Sequence, residues 1–229
     1  DNIPKFNDLK KDNIPPGYHR PTNLNDRYVF QNFVEGKDNQ FARAAAISVT
    51  DKPGQTMFNP LLIYSSPGLG KTHLIQAAGN RMIRKNRAVR VLYITGEKFM
   101  LDFISSIQKN RSSEFVNFYR KIDMLLLDDV QFFVGKEQTQ EQFFHLFNDL
   151  YQKEKQIILT TDRHPRKLIG LQERLVSRFQ SGLIADIQPP DLETRIEYDL
   201  YYIENWSILF DIKIMLMTLF GGMTGKNAY

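Results

Sequence analysis

The chain has 229 residues, 42% of them hydrophobic and 24% charged, with a formal net charge of +4. That is the size and make-up of one soluble α/β domain with a full core, and its mild basic excess permits a nucleic-acid partner without demanding one. The absence of cysteine excludes a disulfide framework and thiolate chemistry, and no run approaches the roughly 20 apolar residues of a membrane-spanning helix.

Residues 1–23 are polar and rich in Pro and Asn, and read as a linker without a secretory leader. The chain opens on Asp rather than Met, which suggests a piece of a longer protein. A short helical pattern follows at 39–48, then a loop. Apolar runs at Leu61–Tyr64, Arg90–Ile94, Met124–Leu127, Ile157–Thr160 and Gly182–Ile187 predict strands. Helical spacing between them predicts helices at 71–85, 97–108 with 113–120, 139–153 and 166–178. Alternating β and α with apolar strands predicts a parallel sheet covered on both faces.

After the first strand comes SSPGLGKTHL, residues 65–74. A phosphate-binding loop has Gly, four free positions, then Gly-Lys-Ser/Thr. Gly70, Lys71 and Thr72 meet its second half, while Ser65 stands at the first glycine. Glycines let successive N–H groups turn toward phosphate oxygens, and the following helix aims its positive end at the same place. Pro67, Gly68, Leu69, Gly70, Lys71, Thr72 and His73 would cradle the phosphates, all but Pro67 as donors. Lys71 would reach the β- and γ-phosphates, and the Thr72 hydroxyl would bind Mg²⁺. Small Ser65, at the strand exit, leaves the closest approaches to Gly68 and Gly70.

MLLLDDVQFF, residues 124–133, delivers two carboxylates at the end of an apolar strand. Asp128 would hold Mg²⁺ through its water shell, and Asp129 would orient or deprotonate the attacking water. Asp162 ends a third apolar strand; it suits either the γ-phosphate region or a turn before His-Pro. Arg174 and Arg178 share a helix face at i, i+4, which suits local ion pairs or a reach to a neighbouring subunit's γ-phosphate.

NPLLIYSSPGLGKTHLIQAAGN, LLLDDVQFFVGKEQTQEQFFHLFNDL, IILTTDRHP, RLVSRF and IQPPDLETR together resemble the AAA+ ATPase domain of the bacterial DnaA replication-initiator family. The match is collinear from about Leu24 to Ile196. It implies an α/β P-loop NTPase fold of AAA+ type, with a five-stranded parallel sheet in the order 5-1-4-3-2. It also implies ATP or ADP with Mg²⁺, weak hydrolysis in the manner of a nucleotide switch, and a cytoplasmic setting. By the same likeness Asp162 is a sensor, Arg178 an arginine finger and Arg174 a second interface arginine. Phe33, Val34 and Asn39 would lie near the adenine. Ile104, Lys136, Gln138 and Thr139 fall where the family touches single-stranded DNA. Head-to-tail self-assembly on origin DNA, the replicative helicase or its loader, and acidic phospholipid are partners implied in the same way. Three departures stand out: Ser65, Gln138 where a basic residue is usual, and Ser181 where Trp is usual.

From Tyr198 the composition shifts, with seven aromatics and only five Asp, Glu, Lys or Arg in 32 residues. This tail, 198–229, resembles the C-terminus of bacterial undecaprenyl-phosphate sugar phosphotransferases. The expected layout is therefore linker 1–23, ATPase domain 24–197 and a foreign or divergent tail, a chimeric chain lacking the family's helical lid. Two further readings remain: a related AAA+ helicase loader, and a fragment of a membrane-associated sugar phosphotransferase.

Overall fold

The computed structural model describes residues 23–55 and 57–189. Five strands, β1 (Leu61–Tyr64), β2 (Val91–Thr95), β3 (Met124–Asp128), β4 (Gln156–Thr161) and β5 (Leu183–Asp186), form one sheet in the order β2-β3-β4-β1-β5. Every pairing is parallel, and the order is the expected 5-1-4-3-2. The three inner strands β3, β4 and β1 are buried almost throughout because both faces of the sheet are covered. Alternate side chains feed two cores. Leu62, Leu125, Leu127, Ile157 and Leu159 face one, with Phe99, Phe143 and Phe147. Leu61, Ile63, Met124, Leu126 and Ile158 face the other, with Leu74, Ile75 and Ala78.

Six α-helices among the described residues cover the sheet: α1 (Gln40–Ser48), α2 (Lys71–Lys85), α3 (Gly96–Gln108), α4 (Ser112–Arg120), α5 (Glu137–Gln152) and α6 (Glu173–Phe179). None among the described residues is long and apolar enough to cross a membrane. Phe99 of α3 is fully buried and meets Phe115, Tyr119, Phe133 and Phe143 at ring-centroid distances of 5.3–5.5 Å. These contacts pack the α3–α4 pair against α5 and the turn that follows β3.

The helix expected at 166–178 is broken. A 3-10 turn occupies Pro165–Lys167, and α6 begins only at Glu173. Gly170 sits at φ 92, outside the helical region, so helical periodicity across 168–172 does not become a helix. Leu168 and Leu171 instead turn inward and are buried. Smaller differences affect strand ends: β2 begins and ends one residue later than expected, and β5 is shorter than 182–187.

Gln140 holds this irregular stretch. It is fully buried, donates from Nε2 to the carbonyls of Phe133 (2.7 Å) and Gly170 (3.0 Å), and accepts from the Gln172 N–H (2.8 Å). The loop before α6 is thereby tied to α5. The compact unit carrying the sheet ends at Gln188. Residues 1–22 of the expected linker 1–23 and the tail from Tyr198, with the lid question, lie outside the described residues.

Gln140→Leu leaves the Gln172 N–H without its acceptor and takes one of two donors from the carbonyls of Phe133 and Gly170, which keep the N–H groups of Lys136 and Gly135. Unfolding in urea should show a loss of roughly 1–3 kcal/mol, the cost of one buried unsatisfied group. A change below about 0.5 kcal/mol would mean that the amide network is not what fixes α6.

Candidate functional site

The ends of β1, β3 and β4 and the start of α2 meet at the C-terminal edge of the sheet, where open α/β sheets bind ligands. Gly68 and Gly70 stand at φ 82 and 89, a backbone that L side chains rarely adopt. A Cβ at Gly68 would meet nothing within 4 Å, so the turn surrounds open space. At Gly70 a Cβ would come 2.9 Å from the Phe33 ring. The first-turn amides of α2, on Lys71, Thr72 and His73, have no intrahelical acceptor and point out of the helix end. Pro67 and Leu69 complete the loop.

Lys71 is buried and held inside the loop. Its Nζ donates to Ser65 O (2.8 Å), Ser65 Oγ (3.2 Å) and Ser66 O (3.2 Å). Ser65, itself buried, donates from Oγ to Ser66 O (2.9 Å). The residue that breaks the glycine pattern thus gives the lysine an extra acceptor. Burial pushes the Lys71 ammonium below its ordinary value, and Asp129, Asp128 and Asp162 oppose that shift. Three acidic groups therefore face one cation.

Asp128 is 2% exposed and lies opposite Thr72, whose Oγ1 donates to its Oδ2 at 2.7 Å. Thr160 Oγ1 donates to Oδ1, and the Tyr93 hydroxyl donates to Oδ2 at 2.9 Å. Burial and the neighbouring Asp128 push the Tyr93 phenol well above its usual value, so it stays a donor. Among the described residues no cluster of three His, Cys, Asp or Glu side chains offers a self-sufficient metal cage. Mg²⁺ does not need one: it takes one or two protein oxygens beside phosphate and water. The Asp128 carboxylate with the Thr72 hydroxyl fits that donor set.

Asp129 starts a 3-10 turn with φ 59 and ψ 58, a left-handed backbone in which a short polar side chain is tolerated. Its N–H donates to Thr160 Oγ1 (2.8 Å), and its Oδ1 accepts from Gln131 Nε2 (3.0 Å). Burial, then the charge of Asp128, raises its carboxyl above the ordinary range. Gln131 also accepts from the Asp162 N–H at 3.3 Å, linking the ends of β3 and β4. Asp162 is paired with Arg163 at 2.6 and 2.9 Å, and this arginine holds its carboxyl low. The sequence pattern singled out neither Tyr93, Thr160 nor Gln131. The only available signal was proximity to Asp128 and Asp162 in the chain, which Gln131 and Thr160 have and Tyr93 lacks.

Residues 28–39 lie beside the start of α2. Phe33 is buried against Gly70, and His73 contacts the rings of Tyr28 (4.9 Å) and Phe33 (5.4 Å) while its Nε2 meets Val29 O at 2.9 Å. Val34 is 70% exposed. Asn39 does not cap α1; it accepts from the Gly36 N–H (3.0 Å) and donates to Val34 O (2.9 Å), bracing the turn beside the loop.

Two groups of expected residues stand apart. Arg174 lies over the Phe144 ring at 4.7 Å and donates to Gln172 Oε1 at 2.7 Å. Neither Arg174 nor Arg178 forms an ion pair among the described residues, and neither is among the charges acting on Lys71. The second group comprises exposed Ile104 on α3 and exposed Lys136 and Gln138 at the start of α5. Thr139 is buried there, so it offers the helix-end N–H rather than its side chain.

Comparison with known proteins decides the family. The model of the bacterial DnaA ATPase domain matches residues 24–186, most of the chain and all five strands. The chain belongs to the DnaA ATPase-domain family. Latilactobacillus sakei DnaA is 54% identical over 181 residues, 79% of this chain and 40% of that protein. The chain thus spans about two-fifths of the curated relatives it matches. Domain III of Thermotoga maritima DnaA is 41% identical with a TM-score of 0.76, covering 91% of this chain and 94% of that one. A DnaA bound to AMPPCP and single-stranded DNA is also 41% identical, with a TM-score of 0.73, covering 86% of this chain and 66% of that one. The DnaC helicase loader, at 18% identity and a TM-score of 0.62, shares the fold alone. A bacterial sugar transferase model matches residues 173–225. Its first part overlaps α6 and β5, which belong to the DnaA-type sheet and its cover.

The raised Asp129 carboxyl sets a pH signature. A carboxyl whose folded pKa lies above its unfolded value near 3.8 disfavours the folded state when ionised. That cost is full at neutral pH and fades as pH falls through the folded pKa. Asp129→Asn, which keeps the left-handed backbone, should therefore melt higher than the parent at about pH 7. The gap should close as the pH approaches about 4. A gap that widens on acidification would contradict the raised carboxyl.

Proposed function

We propose that this chain is the nucleotide-binding and assembly domain of a DnaA-type replication initiator. The observation that carries the reading is the convergence of Lys71 and Thr72 on Asp128, Asp129 and Asp162 around an open glycine turn. Backbone donors from Gly68 to His73 hold the phosphates of ATP or ADP, with Pro67 shaping the turn, and Lys71 exchanges its loop carbonyls for phosphate oxygens. Phe33, Val34 and Asn39 border the adenine. Thr72 and Asp128 would hold Mg²⁺, which supplies charge neutralisation on the phosphates. Asp129, with its raised carboxyl, accepts a proton from the attacking water, and Gln131 and Thr160 fix its position. Asp162 acts beside the γ-phosphate.

Arg174 and Arg178 serve a neighbouring copy's nucleotide, since neither engages an acid of its own site. Contacts of this kind are heterologous and build open filaments. Hydrolysis is then slow in the monomer, and the domain works mainly as a switch on origin DNA in the cytoplasm. Ile104, Lys136, Gln138 and the α5 helix end grip single-stranded DNA; the nucleotide and single-stranded DNA bound by the 41% identical DnaA support both assignments. A replicative helicase or its loader is the expected downstream partner. The stretch beyond about Ile196 is read as a foreign tail joined to the ATPase domain, supported by the sugar-transferase match. The genomic reading frame across Arg195 to Tyr201 tests the join: an unbroken natural gene encoding both parts refutes it.

ATP with Mg²⁺ should raise the melting temperature by mass action, and Lys71→Ala should remove the rise. Arg178→Ala should keep the rise while abolishing ATP-dependent assembly in light scattering. No shift for the parent at millimolar ATP would sink the nucleotide reading.

Lys136→Ala should weaken single-stranded DNA binding for all sequences alike and lower the salt slope by roughly 0.7, the value for one lost phosphate contact. Sequence-selective loss would point to base readout instead.

A further inference from the structure

Asp128 receives three hydroxyl donors from three different segments. Thr72 comes from the start of α2, Thr160 from β4 and Tyr93 from β2. A carboxylate this buried needs donors, but Thr72 is also the group that a divalent cation would draw on. The other two are rooted in the sheet. Tyr93 is the more elaborately supported. Its N–H donates to Asn23 Oδ1 at 3.3 Å, and its carbonyl accepts from Asn23 Nδ2, so the segment leading into the domain clamps this edge-strand residue. Its hydroxyl also meets the Gln76 side chain. Gln76 Oε1 in turn accepts the Asn25 N–H at 2.8 Å, so the leading segment also reaches this corner of the site.

We propose that Tyr93 is a positioning residue for the metal-facing carboxylate: its hydroxyl, on a strand residue clamped by Asn23, holds Asp128 in place for a nucleotide-bound Mg²⁺. The inference rests on the nucleotide reading of the site. Outer-shell donors to metal-binding groups commonly govern metal affinity by 10–100-fold. The Tyr93 hydroxyl bonds Asp128 and not the phosphate loop, so its effect falls on the Mg²⁺ dependence of binding rather than on nucleotide binding as such. Residues Asn23, Asn25 and Gln76 make the leading segment part of the same device.

The test uses the full chain and a fluorescent ATP analogue. Affinity is measured in EDTA and across a Mg²⁺ titration, for the parent, Tyr93→Phe and Gln76→Leu. Tyr93→Phe keeps the ring and removes only the hydroxyl. The expected result is an EDTA affinity within about twofold of the parent and a Mg²⁺ half-saturation point raised about tenfold, with Gln76→Leu shifted in the same direction. Mn²⁺ binding to the nucleotide complex, read by electron paramagnetic resonance, should weaken in parallel. An unchanged Mg²⁺ half-saturation point overturns the proposal. Equal losses in EDTA and in Mg²⁺ overturn it too, because they mark a damaged pocket rather than a misplaced carboxylate. If the parent binds no nucleotide, the site reading itself fails and this inference falls with it.

Discussion

A carboxylate with 2% of its surface exposed sits at the end of the inner strand β3, and the arrangement of the domain answers to it. Burying such a charge is costly unless its oxygens are hydrogen-bonded. Asp128 is satisfied by hydroxyls from α2, β2 and β4, so the phosphate loop, the edge strand and the neighbouring strand are all tied to one group. The parallel sheet makes this possible. Its strands end together, and their loops deliver side chains to the same edge. The two apolar cores beneath provide rigidity, and the polar chemistry stays at the rim.

Around that anchor the charges are arranged in opposition. Lys71 is pushed toward neutrality by burial and pulled back by three acids. Asp129 is pushed toward protonation by burial and by Asp128. Such a site is poised for a polyanion with a divalent cation, which would relieve both imbalances at once. In the structure Lys71 rests on the carbonyls of Ser65 and Ser66. Incoming phosphate therefore competes with ready-made acceptors instead of meeting a free ammonium.

The sheet was readable because its strands are short apolar runs separated by amphipathic helices. The phosphate loop was readable because glycines and lysine at fixed spacing have few other uses. Other features depend on contacts between distant segments and leave little local trace. Tyr93 meets Asp128 only because β2 pairs with β3. Gln140 looks like an ordinary helix residue, yet it is bonded to 133, 170 and 172. The misplaced helix at 166–178 has a local cause: its apolar spacing is real, but Gly170 turns the chain and Leu168 and Leu171 fill the core from a loop. Ser65 reads as a defect in a pattern and proves to be a buried acceptor for Lys71.

The most direct test of the central claim is calorimetric titration of ATP into the purified chain with Mg²⁺ present. The account predicts one nucleotide per chain, competed by ADP and lost when Asp128 and Lys71 are replaced together. Absence of binding heat at several temperatures, or saturation unaffected by that double replacement, would contradict it.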